Sequence, residues 1–419
     1  MPMAGHNSAI TSLYNNIWLV DGVRTPFVDY KGAFGLVSPT DLGIKTAREI
    51  FRRTGLAPED VGAVVTGCMA QASFDAYVLP RHIGLYSGVP VQVPATLVQR
   101  VCGTGIEILM QSADAITLGK IELGLCVAAE SMSRNPIAAY THRSGYNLGQ
   151  VDFKDFLWEA LTDTAIGTSM GVCAERLATE YSISRGDADA FACESFDRAL
   201  RAQADGFLAG EITTVITEKF ELEGYQTRGI RLPRGLEGQK TDNHVRPSPL
   251  EVLAKLPAVF GGVQTGGNSS AIVDGAGAAL VASGDYIKRK GIQPLGRMVA
   301  ATVVGVAPEN MGIGPVVAIR PLLERTGLGT DNIDRFEINE AFAAQCIAVE
   351  RELQLDHARV NVHGGAIALG HPLAASGVRL AMTVARELKH SGSRYGIASA
   401  CIGGGQGIAL LIENPEHSG

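Results

Sequence analysis

Cys102-Gly103-Thr104-Gly105-Ile106 has a counterpart far along the chain, Ala374-Ala375-Ser376-Gly377-Val378, at an offset of 374 − 102 = 272 residues. The same offset carries Thr54-Gly55-Leu56 onto Thr326-Gly327-Leu328, Met110 onto Met382, and Gly124-Leu125-Cys126-Val127-Ala128 onto Gly396-Ile397-Ala398-Ser399-Ala400. One short match arises by chance; a register shared without gaps by separate segments marks a duplicated chain. Each copy opens with a helix (Leu42 to Thr54; Val316 to Thr326) and an apolar strand (Val61 to Thr66; Ile333 to Ile338). A second helix follows the Cys102 or His371 loop, and an apolar strand closes each copy (Leu123 to Ala128; Gly396 to Ala400). Strands that alternate with helices form βαβ units whose sheets are covered on both faces. The expected fold class is α/β, with two similar layers packed together.

Between the copies the chain is richer in charge and contains amphipathic helices, Met170 to Tyr181 and Arg185 to Asp205. Ser184 and Asp187 suit the start of the second, because their side chains satisfy free helix N–H groups. Glu221 to Pro249 shows little periodicity. The expected division is a disordered lead-in over residues 1–16, a first half over 17–131, an inserted loop domain over 132–271 and a second half over 272–419.

Composition bounds the function. With 419 residues, 46% hydrophobic and 19% charged, the chain can bury a large core. No apolar run approaches the roughly 18 residues of a membrane span, so no membrane partner is expected. A net charge of −7 argues against a nucleic-acid surface. A small anion remains compatible with it, since Arg228, Arg231, Arg234, Lys240 and Arg246 cluster in sequence; runs of this kind are usually solvated loop faces. The seven cysteines form no C-x-x-C pair and no even framework, which implies reduced thiols. Met1 to Asn16 lacks a basic stretch and an apolar core, so it does not look like a signal peptide. A cytoplasmic setting is expected.

Four segments carry chemistry: Cys102 to Gly105, Asn339-Glu340-Ala341-Phe342, Gly370-His371-Pro372 and Cys401-Ile402-Gly403-Gly404-Gly405. Cys102 opens a helix, where the macrodipole favours thiolate and a lowered pKa; the bland reading is a buried structural cysteine. Pro372 fixes the backbone directly after His371, and a rigidly held histidine suits acid/base work. Cys401 ends an apolar strand, at the edge where α/β sheets bind ligands, and the amides around Gly403 can form an anion-stabilising nest. Asn339 can present its amide to a substrate or water oxygen. Glu340 reads as a supporting or helix-start carboxylate, and capping is the alternative for both.

These segments resemble the active-site signature of the thiolases, and the resemblance spans nearly the whole chain. It includes Val23 to Pro26, Glu130-Ser131-Met132-Ser133, Met170-Gly171, Thr265 to Asp274 with Asn268, and Met311-Gly312-Ile313-Gly314-Pro315. It implies two mixed sheets with helices between and outside, plus the loop domain. It also implies an acyltransferase that runs reversible Claisen condensation and thiolysis between acetyl-CoA, acyl-CoA and 3-ketoacyl-CoA. Cys102 would be the acylated nucleophile, His371 its activator and Cys401 the acid/base at the α-carbon. Asn339 would hold a water that forms one oxyanion hole with His371, and the amides of Cys102 and Gly403 would form the other. Ser270, Phe260, Met170, Ala341, Phe342 and Met311 would contact substrate or CoA, and Arg246 the adenine end. CoA thioesters are substrates, no cofactor or metal is implied, and a homodimer or homotetramer is expected.

The substrate reading is acetoacetyl-CoA, as in acetyl-CoA C-acetyltransferases, with a broader or longer 3-ketoacyl-CoA range in β-oxidation as the alternative. Ser169, standing where short-chain biosynthetic enzymes often carry His, weakens acetoacetyl-CoA as the sole substrate and keeps the broader range as the alternative. His363, Ala374 and Gln406 also depart from the usual Asn, Gly and Met without removing a reactive group. Ketoacyl synthase-type condensing enzymes share the duplicated fold but typically use two histidines. A non-catalytic acyl-CoA or lipid carrier would lack the reactive set.

Overall fold

The computed structural model describes residues 9–70 and 74–417. Ten strands form one mixed sheet. Its order is Arg335–Ile338, Tyr395–Ile402, Gln406–Glu413, Gly296–Gly305, Ile10–Arg24, Val273–Ser283, Leu123–Ser131, Ala63–Gly67 and Ala95–Val98, with Val28–Asp29 beside Val273–Ser283. The long strand Ile10–Arg24 joins the two copies, pairing with Gly296–Gly305 through its first half and with Val273–Ser283 through its second. Parallel pairs lie towards both ends of the order, and the ladders between them are antiparallel.

The repeat is visible element by element. Strands beginning at Ala63 and Arg335, and at Leu123 and Tyr395, start 335 − 63 = 272 and 395 − 123 = 272 residues apart. The helices Pro39–Thr54 and Gly314–Thr326 both end on a left-handed glycine, Gly55 and Gly327. Ser184 caps Arg185–Ala204 in a reciprocal box with Asp187.

Helices lie between and outside the strand layers. Thr104–Thr117 and Ala374–Ser391 share one core, in which Ile106, Met110, Val378 and Met382 pack together. Pro39–Thr54 covers the outer face of the first half through Leu42, Ile44 and Ile50. Gly314–Thr326 covers that of the second through Val316, Ile319 and Leu322. The two central helices touch at equivalent glycines: a Cβ on Gly105 would lie 2.7 Å from Gly377 Cα, and one on Gly377 would lie 2.7 Å from Gly105 Cα. Only glycine allows this approach, and it brings both helix N-termini to one point.

The expected lead-in over residues 1–16 is corrected in part. Residues 1–8 lie outside the described residues, but Ile10 to Asn16 belong to the strand that joins the copies. The inserted segment is tied back by the fully buried Arg24, whose guanidinium donates to Glu211 at 3.0 Å and to Asp242 at 2.7 and 2.8 Å.

Candidate active site

Cys102 sits in the single turn Val101–Gly103 that leads into the helix Thr104–Thr117. Val101 holds a left-handed backbone with φ 44, an outlier for a β-branched residue. Thr104 braces it, its hydroxyl donating to the Val101 carbonyl at 2.6 Å and accepting from the Arg100 N–H at 2.8 Å. Arg100 is held in turn by Glu107 and Gln406, both at 2.8 Å. The turn thus aims the sulfur through a fixed backbone.

Burial pushes the Cys102 thiol up to about 11. The N–H groups of Gly403 and of Cys102 itself hydrogen-bond the sulfur and pull the other way, while the nearby Glu130 carboxylate pushes with burial. This corrects the expectation of a lowered pKa. Two donors and a helix terminus do not outweigh desolvation of the charged form, so the resting group is a thiol that needs a base.

His371 supplies one. Its backbone N–H bonds the Ala271 carbonyl at 2.9 Å, its Nδ1 lies 2.6 Å from Ser376 Oγ, and its Nε2 lies 3.4 Å from Asn339 Nδ2. With the Asn339 amide as donor, the ring proton sits on Nδ1 and the Nε2 lone pair accepts the long bond from Asn339. Burial, with the positive charge of Arg379 added, pushes the imidazole down to about 3. It is therefore neutral across the physiological range. Asn339 Oδ1 is buried with no hydrogen-bond partner among the described residues.

Cys401 lies in the strand Tyr395–Ile402, one residue before its end, and is buried. Burial raises its thiol well above the ordinary range, and the neighbouring Cys102 adds to this. It packs with Met311, Ala341 and Cys173, with Met170 and Phe342 alongside. Gly403 stands between Met170 and the Cys102 turn: a Cβ there would lie 3.1 Å from Met170 Sδ and 3.6 Å from Val101 Cγ1. The four reactive segments thus converge.

A cavity of about 220 Å³ opens beside them, lined by Met132, Trp158, Met170, Phe260, Ser270 and His371 among others. Of the expected substrate contacts, Ser270, Phe260, Met170 and Phe342 line it. Ala341 and Met311 lie behind, packed on Cys401. Arg246 is elsewhere, exposed over the Phe196 ring at 5.4 Å and bonded to His244. Ser270 donates its N–H to the Ala341 carbonyl at 3.0 Å, which fixes the cavity wall to the Asn339 segment.

Several participants carried no role in the sequence reading. Glu130 accepts N–H bonds from Met69, Ala70 and Ala374 at 3.0, 3.0 and 3.2 Å, so one carboxylate ties the Cys68 loop to the helix that follows His371. Burial pushes it up to about 7. Ser376 was visible only as the counterpart of Thr104 in the repeat, and both hydroxyls brace a reactive loop. Glu340 fits the reading as a supporting carboxylate, accepting from Ser195, Asn361 and the Ile367 N–H. Asn268 likewise holds its loop, bonding Thr265 and Asp189. His363 pairs with Glu387 at 2.8 Å and stacks on Phe207.

A duplicated α/β scaffold that brings two cysteines, a neutral histidine and an asparagine together beside a cavity lined by the histidine defines a thiolase, an acyltransferase acting on CoA thioesters. The chain belongs to the thiolase family: the thiolase N-terminal domain matches residues 17–285 and the C-terminal domain 292–414. The mitochondrial 3-ketoacyl-CoA thiolase of Bos taurus is 41% identical over 407 residues, covering 96% of this chain and 99% of the relative. The crystal structure of human mitochondrial 3-ketoacyl-CoA thiolase in complex with CoA superposes with a TM-score of 0.89 at 39% identity, covering 95% of this chain and 98% of that one. The Bacillus anthracis acetyl-CoA acetyltransferase structure gives 0.88 at 36% identity, covering 96% and 99%.

The protein is therefore an enzyme of reversible condensation and thiolysis between CoA thioesters and 3-ketoacyl-CoA. The expected cytoplasmic setting is overturned, since the mammalian relatives are mitochondrial thiolases. Among the described residues no helix is long and apolar enough to cross a membrane.

Proposed function

We propose that the protein is a 3-ketoacyl-CoA thiolase of broad chain length, with acetoacetyl-CoA as the shortest substrate of its range. The observation that carries this is the apolar wall beside the Cys102 sulfur, where Met132, Leu157 and Leu373 form one buried cluster and Met69 packs against it. Two methionines in such a wall adapt to acyl groups of different length. The likeness to mammalian 3-ketoacyl-CoA thiolases points the same way.

In thiolysis, His371 Nε2 takes the Cys102 proton as the sulfur attacks the 3-keto carbonyl. The bond between the α- and β-carbons then breaks, and Cys401 gives its proton to the departing acetyl-CoA carbanion. The Cys401 thiolate next takes the proton of the CoA thiol, whose sulfur attacks acyl-Cys102; the Cys102 sulfur leaves and regains its proton from His371, and the shortened acyl-CoA is released. Condensation is the reverse. The raised pKa of Cys401 keeps it protonated at rest, the state thiolysis requires first. Asn339 with His371, and the N–H groups of Cys102 and Gly403, serve the two developing oxyanions.

The proposal includes the division into residues 17–131, 132–271 and 272–419, and a homo-oligomeric state. An assembly is supported by Ala95–Val98, an outer strand of the sheet, and by the exposed Phe74, Tyr77 and Val78. Such an edge invites pairing. A chain-length series of 3-ketoacyl-CoA thioesters tests the function: kcat/KM within about tenfold from four to ten carbons supports it. Activity confined to acetoacetyl-CoA would refute the broad range.

A further inference from the structure

The clustered arginines of the sequence divide once folded. Arg228 is consumed structurally, paired with Asp41 at 2.8 Å and with Asp75 at 2.5 Å. Arg231 and Arg234, in the inserted segment, instead meet Lys31, from near the start of the first half, around a cavity of about 790 Å³. We infer that this cavity is a binding site for a phosphoryl-bearing anion.

Three observations carry the inference. First, none of the residues lining the cavity is acidic, and among the described residues Lys31, Arg231 and Arg234 have no ion-pair partner. Three like charges gathered on one cavity are unfavourable without a counter-charge, more so in a chain whose net charge is −7.

Second, the backbone around the cavity is already ordered. Gly32 donates to the Asp29 carbonyl at 2.7 Å, Gly35 to the Gly32 carbonyl at 3.0 Å and Leu236 to the Pro233 carbonyl at 3.1 Å. The Lys31 N–H donates to Ser133 Oγ at 2.8 Å, and Ser133 Oγ donates to Asp274 Oδ2 at 2.6 Å. A pre-ordered site loses little freedom when it captures a ligand.

Third, a fourth cation stands behind the wall. Arg134 donates through Nη1 to the carbonyl of the lining residue Leu36 at 2.7 Å, and its Nε is buried with no partner.

The ligand class follows from the donors. Arginine forks match the oxygen pairs of a phosphoryl group, and lysine adds a point charge. The volume admits a diphosphate or a nucleotide. The site is separate from the reaction cavity but shares a turn with it: Met132 lines the reaction cavity and Ser133 the basic one. A phosphoryl anion reaches this site either as a small free anion or as the nucleotide end of a second CoA molecule.

Calorimetric titration of the intact enzyme at low ionic strength with inorganic pyrophosphate, and separately with CoA, tests this. The comparison is Arg231→Ala/Arg234→Ala, whose side chains are exposed and unpaired, with Lys31→Gln as an independent second variant. Pyrophosphate binding that weakens at least about tenfold in both variants, with kcat and the melting temperature unchanged, supports the site. Given that loss, one CoA per chain in every protein assigns a small free anion. Two CoA per chain falling to one in the variants supports the site and assigns the nucleotide end. Equal pyrophosphate affinity in all three proteins, or no pyrophosphate binding together with one CoA per chain throughout, would overturn the inference. None of these readouts depends on the acyl range proposed above.

Discussion

Val101 and Leu373 occupy equivalent positions of the two copies, 373 − 101 = 272 residues apart, and both hold a left-handed backbone, with φ 44 and φ 28. The first precedes Cys102; the second follows His371-Pro372 and opens the helix Ala374–Ser391. Each such non-glycine residue costs about 1–3 kcal/mol and persists only where its surroundings over-determine it. Thr104 braces the first turn and Glu130 the start of the second helix. The duplication has therefore kept a paired set of strained turns: one presents His371 to the cavity, and the other sets Cys102 against the cluster of Met132 and Leu373 that forms part of its wall.

Val101→Gly removes the strain but adds chain freedom, two effects that offset within about 1–2 kcal/mol. Stability should change little while the sulfur loses its fixed aim. A fall in kcat of about a hundredfold, with the melting temperature nearly unchanged, is the expected result. Wild-type kcat in this variant would show that the strained turn does not position Cys102.

Gly105→Ala addresses the helix crossing. The added Cβ would meet the Ala374 carbonyl oxygen at 2.4 Å, a backbone atom that cannot turn aside. Overpacking of this kind costs about 1–3 kcal/mol, and the upper end is expected against a backbone atom. The melting temperature followed by circular dichroism should fall by roughly 3 °C for a chain of this length, and Gly377→Ala should behave alike.

The protonation states give a pH signature. With the Cys102 thiol raised to about 11 and the His371 imidazole lowered to about 3, neither titrates between about pH 5 and 9 in the free enzyme. Iodoacetamide alkylation of Cys102 should rise steadily with pH and reach no plateau below about pH 9. A plateau near pH 7 would instead mean a preformed thiolate. The histidine also has a stability consequence: between its ordinary value of 6.5 and about 3, the unfolded chain binds the proton that the folded chain refuses. Folding stability from this group is full above pH 6.5 and falls as the pH drops through that window.

Ser376→Ala removes the partner of His371 Nδ1, freeing the ring to rotate and to change tautomer. A loss of kcat by about tenfold to a hundredfold is expected, with recovery in Ser376→Thr, which restores the hydroxyl. KM for acyl-CoA should change less than kcat. Equal loss in the Ala and Thr variants would point to packing alone.

Much of this was legible in the sequence, because a repeat is a statement about register, and register survives folding. The strands at Ala63 and Arg335 and the glycine-ended helices fall where the offset puts them. Ile10 to Asn16 was not legible as strand: Asn16 has φ 60 and the pairing shifts register between Leu13 and Ile17, which interrupts the alternation of apolar residues. The reactive residues were readable by type and by their glycine surroundings, but the Cys102 pKa was misread. A helix terminus is local, whereas the burial that outweighs it comes from segments hundreds of residues away. The same non-locality hid Glu130 as the tie to Ala374, and Lys31 as the partner of Arg231 and Arg234.

The central claim is that the Cys102 sulfur carries the acyl group. Mass spectrometry of the intact enzyme and its peptides after brief exposure to 3-ketoacyl-CoA without free CoA tests it most directly. An acyl adduct on the Cys102 peptide, absent from Cys102→Ala together with thiolysis, is the expected result. No adduct on Cys102, alongside continued turnover by the Ala variant, would contradict it.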